Sequence, residues 1–231
     1  MDKKVIFKID KDLDFQNHLI GLKVNNERFL KVSPETNEYY TKLSGANLED
    51  KRSIFDERTS GFYSDNMIDI RNLLIKQTQE MWDLVSDKYF KKIEQIHKKT
   101  FPYKMVLGIL STTPTVYGYD FNKENPWFAC PCDSPIRAVH AAMHEIMHIY
   151  FHEYFKKEYQ KKYQLNSEQI YIIKESLTVI LNLEFEDIRI YSDRDKIGHE
   201  KIREKIKKDW FKYKDFEKVL EEACLYIKTK K

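Results

Sequence analysis

The sequence predicts an α+β fold, predominantly helical, with a small sheet packed beside one central helix. Three observations carry this expectation. Gly and Pro are scarce, at six each in 231 residues, so little interrupts long helices. Apolar residues recur at helical spacing through three stretches, near residues 64–97, 135–163 and 168–187. Two short runs rich in β-formers, residues 105–110 (MVLGIL) and 115–121 (TVYGYDF), lie between the first and second of these stretches.

In chain order, residues 3–9 (KVIFKID) alternate weakly and predict a short strand. Residues 12–60 are mixed. Within them residues 35–42 and 48–56 predict short helices, the first opened by Pro34 and the two separated by Gly45. Ser64-Asp65 caps a long helix to about His97, whose stripe is Met67, Ile70, Leu73, Leu74, Trp82, Val85, Tyr89, Ile93 and Ile96. Pro102 ends it. The two β-rich runs follow, joined by a turn at residues 111–114, and residues 127–132 run extended into the central helix. Ser134-Pro135 supplies an N-cap and a Pro at the first helical position, and the helix extends to about Tyr163. The next helix, capped by Asn166 or Ser167, spans about residues 168–187 and is apolar almost all round, so it is expected to be buried. Two charged helices, residues 196–208 and 212–228, close the chain.

The length allows one large domain or two small ones. The expectation is a single domain over 1–231: an N-terminal region of no assigned role (1–62), a core (63–190) and C-terminal helices (191–231). Hydrophobic residues make up 42% and charged residues 33%, a globular composition. A net charge of +3 is too small to imply nucleic acid or an anionic membrane as partner. No run of 18 apolar residues occurs, and the first residues, MDKKVIFKIDKDLDF, carry Asp and Lys where a signal peptide needs an apolar segment. A cytoplasmic protein is therefore expected. Cys130, Cys132 and Cys224 do not form an even disulfide set, and Cys130-Pro131-Cys132 lacks the spacing of a zinc knuckle; they read as small buried thiols.

The central helix contains His144-Glu145-Ile146-Met147-His148. Residues four apart lie one above the other on a helix, so His144 and His148 can grip one metal ion from the same side. Glu145 lies on the neighbouring face, placed to act as base on a water held by that ion. His140 and His152 extend the series, but a helix climbs about 6 Å per four residues, which puts His144 and His152 too far apart to share one ion. They read as partly buried helix histidines. In the apolar helix that follows, Glu175 is a lone carboxylate that needs a cation or hydrogen bonds. It is the expected third ligand. The bland alternative for Glu175 is pairing with a Lys or Arg, or hydrogen bonding to a Tyr. Glu168 is the rival ligand, although the helix dipole alone explains an acid in a first turn. Tyr191 and His199 follow this helix, and either could donate a hydrogen bond to a developing oxyanion.

The pattern resembles the zincin metallopeptidases of the gluzincin type, which carry HExxH on one helix and a Glu on the next. Glu175-Ser176-Leu177-Thr178 is similar to the Glu-x-x-Ser/Thr second motif of thermolysin-like enzymes. Val179 stands where they often have Asp, and the interval from His148 to Glu175 is longer than theirs, whereas Glu168 fits their spacing. The resemblance covers about residues 105–187. It implies a zincin-like fold and a zinc-dependent peptidase acting on peptide or protein substrates. Zinc would be held by His144, His148 and Glu175, with Glu145 as general base. A sheet edge beside the metal could hold a peptide by strand addition. The non-enzymatic alternatives are a zinc-binding interaction protein and a metal-free helical interaction module. The oligomeric state is not specified.

Overall fold

Val5 and Phe7 alternate with Lys4, Ile6 and Lys8 along the chain. In the computed structural model this period of two becomes strand β1 (Lys4–Lys8), with Val5 and Phe7 buried. The structure describes residues 4–24, 33–113, 118–121, 124, 126–189, 192–193 and 198–229. The fold is α+β and predominantly helical, as the sequence predicts. The chain forms two compact units, Met1–Asp83 with Lys104–Ala142 and Leu84–Tyr103 with Met143–Lys231.

In the first unit β1 is followed by helices α1 (Lys11–Val24), α2 (Pro34–Gly45) and α3 (Leu48–Tyr63), a 3-10 turn (Asp65–Met67) and the start of α4 (Ile68–His97). Strands β2 (Met105–Ser111), β3 (Tyr119–Asp120) and β4 (Trp127–Pro131) come next, then the start of α5 (Pro135–Tyr150). Helix starts follow local chemistry. Asp10 accepts from the amides of Asp12 and Leu13 before α1, Ser33 accepts from Thr36 N with Pro34 next to it, and Asn47 accepts from Asp50 N. Helix α1 falls in the region where the sequence suggested only mixed structure.

The sheet order is β1-β2-β4-β3. Strands β1 and β2 pair in parallel with Val5 opposite Val106, and β2 and β4 pair in parallel with Ile109 opposite Ala129. Strand β3 is antiparallel to β4. A parallel β1–β2 pair needs a long crossover, which α1–α4 supply. The two β-rich runs were expected as consecutive strands joined by a turn. They are not neighbours: β2 has β1 and β4 on its two sides, and β3 joins β4. Buried Val106, Ile109 and Leu110 make β2 a nearly continuous apolar strand, the pattern of a central parallel strand rather than one arm of a hairpin. Of the second run only Tyr119–Asp120 is strand, and residues 114–117 lie outside the described residues.

Gln79 of α4 closes part of the outer edge of β1. Its side-chain carbonyl accepts from Phe7 N at 3.0 Å, and its amide donates to Val5 O at 3.1 Å, the contacts an added strand would otherwise make. Gly108 of β2 permits the close approach of Phe7, since a Cβ there would sit 2.7 Å from the ring. The expected stripe of α4 is only partly buried. Trp82, Tyr89 and Ile93 are in the core, but Ile70 and Leu73 are about half exposed, at 55% and 52%. Apolar spacing identifies a helix face without saying how far along it the core reaches.

The second unit holds the rest of α4 and α5, a π-helical turn (Phe151–Phe155), and helices α6 (Lys156–Lys162), α7 (Ser167–Leu177), α8 (Val179–Glu184), α9 (Glu200–Tyr213) and α10 (Phe216–Thr229). The expected helix ending near Tyr163 is present as a helical run to Lys162, interrupted only by the π turn. The expected helix over 168–187 breaks at Thr178, whose hydroxyl donates to Glu175 O at 2.7 Å and so competes for the helical carbonyl. Asn166 and Gln169 form a capping box that starts α7. Packing in this unit is strongly aromatic. Tyr89 donates its hydroxyl to Met143 O at 2.5 Å, and the buried His97 ring stacks on Tyr150 with centroids 4.5 Å apart and lies 4.1 Å from Phe216. No helix among the described residues is long and apolar enough to cross a membrane.

Candidate metal centre

Helix α5 carries His144, Glu145 and His148, with the two imidazoles one turn apart. Their ring centroids are 4.4 Å apart and their planes are inclined by 76°. One potential ligand atom from each of the three residues lies within 4.8 Å of the others. Helix α7 brings Glu175 against them. Its Oε2 lies 3.5 Å from His144 Nε2 and its Oε1 3.5 Å from His148 Nε2.

These separations test whether the residues suit a metal ion. Hydrogen bonds of this type are normally 2.7–3.2 Å long. Nitrogen and oxygen ligands at about 2.0–2.1 Å from a tetrahedral zinc stand about 3.3 Å apart. The observed spacing is nearer the second value. His148 Nε2 is moreover buried without a hydrogen-bond partner, although buried ring nitrogens are normally satisfied. The donor set, two imidazoles and a carboxylate with another carboxylate adjacent, is one that zinc accepts. The residues fit the group.

Of the two downstream carboxylates, the fold brings Glu175 to the histidines. Glu168 is exposed in the first turn of α7, where it lines a surface cavity of about 570 Å³ with Gln169, Gly198, Lys201 and Tyr226. Glu175 also has the partner that the bland alternative offered. Lys174 Nζ lies 2.9 Å from Glu175 Oε1, with both side chains buried.

Behind His144 stands Asp193, which the sequence reading did not single out. His144 Nδ1 donates to Asp193 Oδ1 at 2.8 Å, which fixes the tautomer and turns Nε2 toward Glu175. Asp193 is itself anchored. Its Oδ2 lies 2.6 Å from Thr178 Oγ1 and accepts from Arg203 Nη1 at 3.2 Å, and its backbone amide donates to Asn182 Oδ1 at 2.6 Å. Arg203 is buried in α9 and also donates to the Glu175 carbonyl, so one guanidinium spans the segments that supply Glu175 and Asp193.

Electrostatics divides the two imidazoles. Burial opposes charge on His144, but the Asp193 and Glu175 carboxylates outweigh it and push its pKa up to about 10. His148 is held well below the usual imidazole range, by burial first and then by the charges of Lys174 and His144. Glu175 is driven far below the usual carboxylate range. Burial opposes its ionisation, and the surrounding imidazoles and the Lys174 ammonium overcome that opposition. Metal ligation requires neutral imidazoles, so filling this site is linked to loss of the His144 proton.

Glu145 is buried on the same helix turn, at 6% exposure. His199 is buried too, its ring at 75° to Tyr171, one turn before Glu175. Tyr191 lies outside the described residues. His140 and His152 are half-buried, and burial pushes the His152 pKa down to about 3. A local signal existed for Lys174, a second charged residue inside an apolar helix. None existed for Asp193, which sits in a connecting segment 49 residues from His144. The chain matches no family model, no curated protein and no solved structure.

Proposed function

We propose that the protein is a zinc-dependent peptidase of the gluzincin type, with His144, His148 and Glu175 as ligands and Glu145 as general base. The carrying observation is the convergence of His144 Nε2, His148 Nε2 and the two Glu175 oxygens at 3.5 Å in a buried setting. The HExxH pattern and its Glu on a following helix support the same reading.

When bound there, zinc would lower the pKa of a coordinated water toward about 7 and polarise the substrate carbonyl. The chain's own residues supply the remainder. Asp193 holds the Nδ1 proton of His144, so that Nε2 keeps its lone pair for the ligand position. Glu145 takes the proton of the attacking water on its carboxylate and delivers it to the leaving amine. His199 is the described candidate for steadying the oxyanion, and Tyr191 is the other. Peptides or proteins are the substrates on this reading, and the protein acts in the cytoplasm.

A second reading, a zinc-binding interaction protein without hydrolytic activity, draws on the burial of Glu145, which limits its access to substrate. Zinc stoichiometry by mass spectrometry on wild type and Glu175→Ala, with cleavage of a peptide library by wild type, decides between the readings. One zinc per chain, largely lost in Glu175→Ala, together with cleavage is the expected result. Zinc without cleavage favours the interaction protein, and no zinc after reconstitution overturns both.

A further inference from the structure

Lys174 behaves unlike an ordinary helix lysine. Adjacent residues on a helix diverge by about 100°, and a lysine normally extends its ammonium to water. Lys174 is only 6% exposed and bends back to place Nζ 2.9 Å from Oε1 of its own neighbour Glu175. The Tyr171 ring, one turn earlier, lies 5.6 Å from the ammonium. Burial first, and the Lys174 charge second, hold the Lys156 pKa below the usual lysine range. Oε1 has the lysine at 2.9 Å and His148 Nε2 at 3.5 Å, while Oε2 faces His144 Nε2 at 3.5 Å.

We propose that Lys174 is a built-in counter-ion of the metal site, a positioning residue that holds Oε1 of Glu175 and compensates its charge before a metal ion arrives. This inference rests on the metal-binding reading of His144, His148 and Glu175. Without metal, the ammonium joins the imidazoles in compensating the buried Glu175 carboxylate. With metal, ammonium and dication share that carboxylate and repel each other. Lys174 therefore weakens metal binding while holding the Glu175 carboxylate in place.

The test is Zn2+ affinity, by competition with a chromophoric chelator, and the thermal midpoint of the full chain in chelator and in Zn2+. The proteins are wild type, Lys174→Met, Lys174→Arg, Glu175→Gln and the Lys174→Met/Glu175→Gln double variant. Lys174→Met is expected to bind Zn2+ more tightly, on the order of tenfold. It is also expected to melt lower in chelator, so that Zn2+ raises its midpoint by more than in wild type. Lys174→Arg restores both values, and the loss in chelator caused by Lys174→Met disappears when Glu175 is already Gln. A wild type that binds Zn2+ beside a Lys174→Met that binds it equally or more weakly overturns the counter-ion role and leaves the zinc reading intact. A wild type that binds no Zn2+ overturns both. Should Lys174→Met not fold, Lys174→Gln carries the same comparison.

Discussion

Each unit of this protein buries a histidine–carboxylate cluster, and the two are built to different ends. In the first unit Asp14 and His18 sit four residues apart on α1, fully buried. Asp14 accepts from Ser111 Oγ, Thr112 N, Thr112 Oγ1 and Tyr63 OH, and both ring nitrogens of His18 are engaged, by Tyr39 OH at 2.9 Å and Thr112 Oγ1 at 3.1 Å. In the second unit His144 and His148 are also four apart on a helix, yet their Nε2 atoms stand 3.5 Å from carboxylate oxygens and His148 Nε2 has no hydrogen bond. The first cluster satisfies itself at hydrogen-bond distance. The second leaves 3.5 Å between its Nε2 atoms and the carboxylate oxygens. Sequence spacing is the same in both, so distance and saturation distinguish a structural network from a candidate site.

Substitutions can break this contrast. The largest expected effect is that of Glu145→Gln, which should lower peptide hydrolysis by on the order of 10²–10⁴-fold while zinc content stays at the wild-type level. Undiminished cleavage would remove Glu145 from the mechanism. Asp14→Ala should do the opposite. It leaves four donors facing a gap and should destabilise the fold by about 3–5 kcal/mol in chemical denaturation, with zinc per chain unchanged in the folded fraction. Loss of zinc without loss of stability would show that the two clusters do not divide as described.

Two smaller effects sharpen the contrast. Asp193→Asn should weaken zinc binding by about 10–100-fold, because His144 loses the carboxylate that fixes its ring. The last effect concerns pH. Burial lowers the pKa of His18 to about 4, and likewise that of His97 in the second unit. The native protein keeps both rings neutral to about pH 4, whereas the unfolded chain protonates them near pH 6.5. The unfolded state therefore binds more protons in this window, and stability, intact above about pH 6.5, falls as the pH drops. Between pH 6.5 and 5 each ring contributes a loss of up to about 2 kcal/mol. Denaturant midpoints measured from pH 7 to 4 should show this fall, and His18→Gln should flatten it. A slope unchanged by the substitution would assign the pH dependence to other groups.

The candidate site was legible where its geometry is local. A four-residue interval on an uninterrupted helix stacks two imidazoles whatever surrounds them, so His144 and His148 could be paired from sequence. Glu175 could be named because a lone acid in an apolar helix demands a partner. The same logic left a lysine partner and a metal as alternatives, and Lys174 and the two histidines all surround that carboxylate. Sequence periodicity was least informative where a face is only partly covered, as at Ile70 and Leu73, and where strand partners come from distant segments, as for β2 and β3.

By itself, then, the sequence determined most of the helices other than α1, and the HExxH face, because backbone hydrogen bonding and side-chain direction over a few residues suffice for these. Tertiary structure decided which strands are neighbours, that Glu175 rather than Glu168 meets the imidazoles, that Lys174 turns inward, and that Asp193 and Arg203 stand behind the site. Each of those depends on burial and charge compensation among groups far apart in the chain, and such pairings leave no period in the sequence.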